Sequence, residues 1–163
     1  MIVKNGANIM SQLIGKNTNS VPRGLLTKWD GTQTTSSESI ILTLLRPDVL
    51  VSNSGVTMKL GSGTTPVDFD DYCLESEIES TKYTCTSAGG SLSGHPTVTD
   101  DGKVLYTFTF TANESITVNE LCLLYFDSSG TKYMIARKIV PTRNAAAGET
   151  FTFSFVINGG GAQ

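Results

Sequence analysis

The 163-residue chain has one histidine, His95, one tryptophan, Trp29, and three cysteines, Cys73, Cys85 and Cys122. A hydrolytic triad needs a base beside its nucleophile. The only imidazole sits in Gly94-His95-Pro96, with no Gly-x-Ser-x-Gly elbow to serve. Three widely spaced cysteines make no zinc framework. Cys122, inside an apolar run, reads as a small buried hydrophobe, and synthesis in a cytosol argues against a Cys73–Cys85 bridge. Charged residues are only 17% of the chain, against a usual ~25%, which excludes a long charged helical bundle. No run reaches the ~18 apolar residues of a membrane-spanning helix. A formal charge of −3 provides no general attraction to nucleic acid or an anionic membrane. The start, Met1-Ile2-Val3-Lys4-Asn5-Gly6, lacks the basic and apolar regions of a secretory signal, so folding in a cytosol is expected.

What the chain does have is strand periodicity. From Val104 to Thr111, Val104, Tyr106, Phe108 and Phe110 alternate with Leu105, Thr107, Thr109 and Thr111; from Thr150 to Ile157, Phe151, Phe153, Phe155 and Ile157 alternate with Thr150, Thr152, Ser154 and Val156. These are half-buried strands, and the phenylalanines are core candidates. Ile116–Phe126 and Tyr133–Val140 are apolar enough for central strands, and Asp127-Ser128-Ser129-Gly130 supplies a hairpin turn. Asp100-Asp101-Gly102 and Ala145–Glu149 mark further turns. These four strands are expected to form one antiparallel sheet system, a meander or part of a Greek key.

Ser39–Leu45, Thr57–Leu60 and Lys82–Thr86 read as earlier strands. The fold class is therefore all-β, an antiparallel β-sandwich or jelly-roll-like domain with a short N-terminal arm. Ile9, Met10, Leu13 and Ile14 form an apolar stripe over Asn8–Gly15. A free helix that short is not stable in water, so it needs a surface of its own domain or of a neighbouring subunit. The organisation expected is an arm over residues 1–20, a β domain over 21–158, and a Gly-rich flexible tail over 159–163.

No constellation with catalytic chemistry stands out, and no cofactor or metal set is assigned. Gly61-Ser62-Gly63-Thr64-Thr65 lacks the Lys-Ser/Thr ending and following helix of a phosphate loop, and reads as a strand-to-strand turn. Asp68, Asp70, Asp71, Glu75, Glu77 and Glu79 form an acidic run without EF-hand spacing, read first as a solvated face. A sharper reading sets this run against Lys132, Arg137, Lys138 and Arg143 on the later hairpin across a subunit contact, with Asp70, Asp71, Glu75, Arg137 and Lys138 as its interaction residues. Glu120 falls on the face of Ile116, Val118, Cys122 and Leu124 if its strand is regular. A buried carboxylate is costly unless paired, and Arg137 on the next strand is its natural partner. Trp29 in Lys28-Trp29-Asp30-Gly31 closes the edge of a core or stacks on a sugar, and core closure is the commoner role for a single Trp beside a turn.

Two stretches carry a resemblance. Leu60-Gly61-Ser62-Gly63-Thr64-Thr65-Pro66 through Asp70-Asp71-Tyr72-Cys73-Leu74-Glu75 resembles a segment of small structural proteins of tailed bacteriophages. Ile116–Tyr125, Ile135-Ala136-Arg137-Lys138-Ile139-Val140 and Ala147-Gly148-Glu149-Thr150-Phe151 are similar to their C-terminal strands and to virion-proximal tail-fibre domains. Asn119-Glu120-Leu121-Cys122 departs from the valine-glycine usual there, and residues 1–55 lie outside the similarity. The resemblance implies a non-enzymatic virion protein, synthesised in the host bacterial cytoplasm, serving as head decoration, head fibre, neck component or tail-fibre adaptor. Its implied partners are other virion proteins and copies of itself, a trimer by analogy, with no nucleic acid or membrane partner. The alternative is a carbohydrate-binding β-sandwich in which Trp29, Tyr72, Tyr83 and Tyr125 form a stacking platform for a host-surface glycan.

Overall fold

The computed structural model describes residues 1–2, 25–35, 55–87, 97–98, 103–126 and 129–158. The expected Asn8–Gly15 stripe with Ile9, Met10, Leu13 and Ile14, the Ser39–Leu45 strand, His95, the Asp100–Gly102 turn and the 159–163 tail lie outside them. Within them the protein is all-β. The strands are β1 (Leu25–Thr27), β2 (Gln33–Thr35), β3 (Gly55–Gly61), β4 (Tyr83–Ser87), β5 (Thr97–Val98), β6 (Lys103–Ala112), β7 (Ile116–Phe126), β8 (Lys132–Ala145) and β9 (Thr150–Asn158).

Alternation in β6 and β9 does what the period of two requires. Phe108 pairs with Phe153 and Phe110 with Phe151 on the core face, while Thr107, Thr109 and Thr111 oppose Ser154, Thr152 and Thr150 on the other. Those hydroxyls hydrogen-bond in pairs at 3.1, 3.3 and 3.1 Å, a ladder that adds cross-strand adhesion on the solvent side.

The four C-terminal strands divide between two sheets, which corrects the single sheet system expected from their sequence order. β7 and β8 form a hairpin beside β3, in the order β3-β7-β8. β9 returns to pair along β6, whose other edge takes β4 and β5. β1 and β2 form a separate small hairpin. One core cluster draws Met58, Leu60, Leu121, Leu123 and Tyr125 from the first sheet and Tyr83, Tyr106, Phe108, Phe110 and Phe155 from the second. The physical reason for the division is β7, buried on both faces from Glu120 to Tyr125. A strand with two apolar faces needs cover on both, and the β6–β9 layer covers only one.

The second face belongs to another cluster, Leu74, Cys122, Leu124 and Met134, with Trp29 and Val67 packed against it. Ile116 and Val118 lie in the main core, as do Leu121, Leu123 and Tyr125, so the inward parity of β7 changes between Val118 and Leu121. Glu120 therefore shares a face with Cys122 and Leu124 but not with Ile116 and Val118, contrary to the regular-strand expectation. The ladder is irregular at the same place. Val118 pairs with Arg143 and Glu120 with Ile139, so β8 spends four residues where β7 spends two. Pro141 sits in that unpaired stretch, where its missing N–H cannot serve a ladder.

Trp29 closes the edge of this second cluster, and its backbone N–H donates to the Lys132 carbonyl at 2.9 Å, tying the β1–β2 hairpin to the start of β8. Gly31 in that hairpin has φ +84°, a conformation glycine adopts without strain. Gly130 (φ +80°) plays the same part in the β7–β8 turn.

Candidate functional site

The cover over the outer face of β7 and β8 is the chain from Ser62 to Lys82. It is laid against the end of β3 by its own backbone: Ser62 N–H donates to Ser76 O (2.8 Å), and Ile78 N–H to Leu60 O (2.9 Å). Beneath it lie Glu120 and Arg137, 0% and 2% exposed.

Two buried opposite charges on adjacent strands must satisfy each other and their remaining polar atoms. Arg137 Nε donates to Glu120 Oε2 at 2.8 Å, and Nη2 lies 2.7 Å from the same oxygen. Nη1 donates to Asp71 Oδ2 at 2.8 Å, and Nη2 to the Thr65 carbonyl at 3.2 Å. Glu120 in turn accepts three backbone N–H bonds from the covering loop, Gly63 (3.1 Å) and Ser76 (2.8 Å) on Oε1 and Glu75 (3.2 Å) on Oε2. Glu75 closes the ring by accepting from the Thr65 hydroxyl (2.5 Å) and amide (2.8 Å). The ion pair thus holds two separated parts of the loop, 63–65 and 71–76, on the sheet.

Gly61 and Gly63 make that approach possible. A Cβ on Gly61 would fall 2.5 Å from Glu120 Oε1, and one on Gly63 would fall 2.5 Å from Glu75 Oε2 and 2.6 Å from Glu120 Oε1. The Gly-x-Gly spacing therefore reflects close packing on a buried carboxylate, where the sequence read only a turn. Gly63→Ala is expected to destabilise by about 1–3 kcal/mol through overpacking. Urea unfolding that leaves the midpoint in place would contradict this packing.

Burial works against the charge of Arg137, but its hydrogen bonds to Asp71 and Glu120 outweigh it and hold the pKa above the ordinary arginine value. The Thr65 hydroxyl and amide hold the Glu75 carboxyl below its ordinary 4.5. A depressed folded pKa contributes stability that is present above the unfolded value and lost as pH falls through the folded one. This tie is therefore intact above pH 4.5 and loosens below it. Thr65→Val should move the Glu75 titration, followed by carboxyl NMR, upward toward the ordinary value. An unchanged titration would mean that the Thr65 hydroxyl does not set it.

The expected Glu120–Arg137 pairing is present. The acidic run is not simply a solvated face: Asp71 and Glu75 meet Arg137 within the chain, and Glu77 meets Lys59 at 2.9 Å. Arg137 is thereby removed from any subunit rim, correcting its expected place in an intersubunit charge pair. Asp70 is exposed, with its amide donating to Asp68 Oδ1 at 2.8 Å. Lys138 is exposed as well. The Met1 amino group donates to the Arg137 carbonyl at 2.7 Å, and the Arg137 amide to Met1 O at 3.0 Å. Ile2 bridges to Ala136, so the first two residues lie against the edge of β8.

All three cysteines are free. Cys122 is fully buried, as its apolar setting predicts, and burial raises its thiol pKa, as it does for Cys73 and for Cys85, the last to about 11. At neutral pH they stay thiols, without the thiolate that nucleophilic chemistry uses.

The domain is thus an all-β, sandwich-like fold whose most elaborate polar feature is a loop clasped over a buried ion pair. Comparison with protein-family models, curated proteins and solved structures finds no match.

Proposed function

We propose that the chain is a non-enzymatic structural protein of a tailed-bacteriophage virion, made in the host bacterial cytoplasm and acting through symmetric contacts with copies of itself and with other virion proteins. Head decoration, head fibre, neck component and tail-fibre adaptor all lie within this reading. One observation carries it. Gly61, Gly63, Thr65, Asp71, Glu75, Glu120 and Arg137 come from the separate stretches that resemble phage structural proteins, and they meet in a single network. Members of a network constrain one another, so a likeness spread over distant stretches behaves as one structural unit. The same network engages both oxygens of Glu120 and every nitrogen of Arg137. The one buried carboxylate among the described residues is thus used for holding a loop, which suits a protein that works by shape and binding.

Mass spectrometry of purified virions, with copy number per particle, tests the reading. Copies on the order of hundreds would point to capsid decoration and about a dozen or fewer to neck or tail, since copy number follows the symmetry of the site occupied. Absence from the particle would overturn it.

A carbohydrate-binding module is the second reading, favoured by an open groove of about 310 Å³ that Trp29 lines with Lys28, Asp30, Thr131 and Lys132. The four-residue platform expected for it is not available: Tyr83 and Tyr125 are buried in the core, leaving Trp29 and the 39% exposed Tyr72. A glycan array with a Trp29→Ala control separates the two, because the virion reading requires no glycan signal that depends on Trp29.

A further inference from the structure

We propose that the free edge of β9 is a self-association surface, pairing antiparallel with β9 of a second copy across a two-fold axis. This rests on the reading of the chain as a homo-oligomeric structural protein and names the contact.

A sheet edge carries a row of unpaired amide and carbonyl groups, and proteins blunt such edges with charge, proline, bulges or a covering segment. The first sheet is treated in that way. Ile2 meets β8 at Ala136, and the exposed part of that strand carries Lys138, Pro141 and Arg143. On the far side, Glu77 and Ile78 lie against the end of β3. β9 has none of these devices among the described residues. Among the described residues it pairs with β6 alone, in an unbroken nine-residue register without a bulge. Thr150-Phe151-Thr152-Phe153-Ser154-Phe155-Val156-Ile157-Asn158 contains no charged residue and no proline. The charges beside it are Lys103, which lies across from Asn158 on β6, and Arg143 and Glu149, which are bonded to each other.

The direction of the β9 backbone follows from its first contact with β6. Ala112 N–H donates to Glu149 O at 2.9 Å, and Ala112 O accepts from Gly148 N–H at 2.7 Å, so the Glu149 carbonyl points at β6 and the Thr150 amide away from it. Since hydrogen-bonded and non-hydrogen-bonded pairs alternate, Phe151, Phe153, Phe155 and Ile157 spend their backbone groups on β6. Thr150, Thr152, Ser154, Val156 and Asn158 turn theirs outward. The side chains of Thr150, Thr152, Ser154 and Val156 are exposed, Val156 at 52%.

A second β9 fits this edge without conflict. Full-length antiparallel overlap centres on Ser154: Ser154 faces its own copy, Thr152 faces Val156, and Thr150 faces Asn158. Every outward residue then meets an outward residue, giving about ten hydrogen bonds. No like charges oppose each other, and small hydroxyl and β-branched side chains are favourable cross-strand partners. The contact is isologous, so it closes on itself and yields even-numbered assemblies in place of the trimer implied by analogy.

The test is sedimentation of the full chain at micromolar concentration, beside Ser154→Pro and Val156→Lys. Ser154→Pro removes an outward amide and the exposed hydroxyl paired with Thr107 but no backbone bond to β6, and Val156→Lys adds a charge to the edge without touching any backbone bond. A dimer or tetramer in the wild type, reduced at least tenfold in association by both variants with circular dichroism unchanged, is the expected result. Ser154→Cys should also give a disulfide-linked dimer that the wild type does not. A wild-type monomer would overturn both this contact and the homo-oligomer reading. A trimer, or an even-numbered oligomer indifferent to the Val156→Lys and Ser154→Cys changes, would overturn the β9 contact alone.

Discussion

Arg137→Met is expected to destabilise the fold by about 3–5 kcal/mol, the usual cost of removing one member of a buried ion pair and leaving the other uncompensated. The stranded group is Glu120, fully buried, and no other cation lies within ion-pair distance of it among the described residues. Its three bonds from Gly63, Glu75 and Ser76 would remain, yet amide dipoles alone do not replace a guanidinium at 2.7 Å. Loss of Arg137 also frees Asp71 and the Thr65 carbonyl, so both parts of the covering loop loosen together. The outer partners behave differently. Asp71 and Glu75 are 22% and 41% exposed, water can replace their partner, and Asp71→Asn should cost roughly 1 kcal/mol or less, with Glu75→Gln moving the urea midpoint least of all. Glu120→Gln added to Arg137→Met removes the stranded charge while keeping an acceptor for the loop amides, so the double variant should be more stable than Arg137→Met alone. Urea unfolding of the four variants decides this. A loss below ~1 kcal/mol in Arg137→Met, or a double variant weaker than the single, would mean that the network is not an ion-pair clasp.

How far such a clasp can be read from sequence depends on which of its parts leaves a local signal. The Thr/Phe alternation of β6 and β9 announces both strands, and β7 spans the expected Ile116–Phe126, because period two is a local property of a half-buried sheet. The Glu120–Arg137 pairing is legible for a related reason: an ionisable residue in an apolar strand needs a partner, and Arg137 is a cation within the apolar part of the next one. The allocation of strands to layers is less accessible. Alternation says which face is buried but not whether the next strand lies beside or opposite, and the 113–115 and 146–149 connections are short enough for either. The change of face at Glu120 had a signal in Pro141, but on the opposite strand, where only the register relates the two. Gly61 and Gly63 were ambiguous because a glycine that makes a turn and a glycine that admits a carboxylate look alike in one dimension. For the same reason Arg137 read as a rim charge: the acidic run meant to meet it in another subunit arrives through the loop of its own chain.

Phe110→Ala should cost about 3–5 kcal/mol, as deletion of a fully buried aromatic does. Its ring lies 5.7 Å from Tyr83 of β4, edge-on, 5.7 Å from Phe151 of β9, stacked, and 6.2 Å from Phe153. It thus connects three strands of one sheet, and its 0% exposure leaves no solvent to fill the space. Phe151 is held further by Arg143, whose guanidinium carbon sits 5.8 Å from the ring centre, so the neighbours cannot readily collapse into the gap, and a persistent cavity adds to the transfer cost. Phe153 has the same chemistry and a different position. On the edge strand it is only partly buried, so Phe153→Ala should cost roughly half as much, because less area is removed from water. Thr109→Ala, on the opposite face of the strand carrying Phe110, loses one exposed hydroxyl pairing and should stay within about 0.5 kcal/mol of wild type. The expected order of urea midpoints is therefore Phe110→Ala lowest, then Phe153→Ala, then Thr109→Ala. Equal losses at Phe110 and Phe153 would mean that the free edge of β9 is covered in the native protein, because only a covered edge would make Phe153 as much a core residue as Phe110.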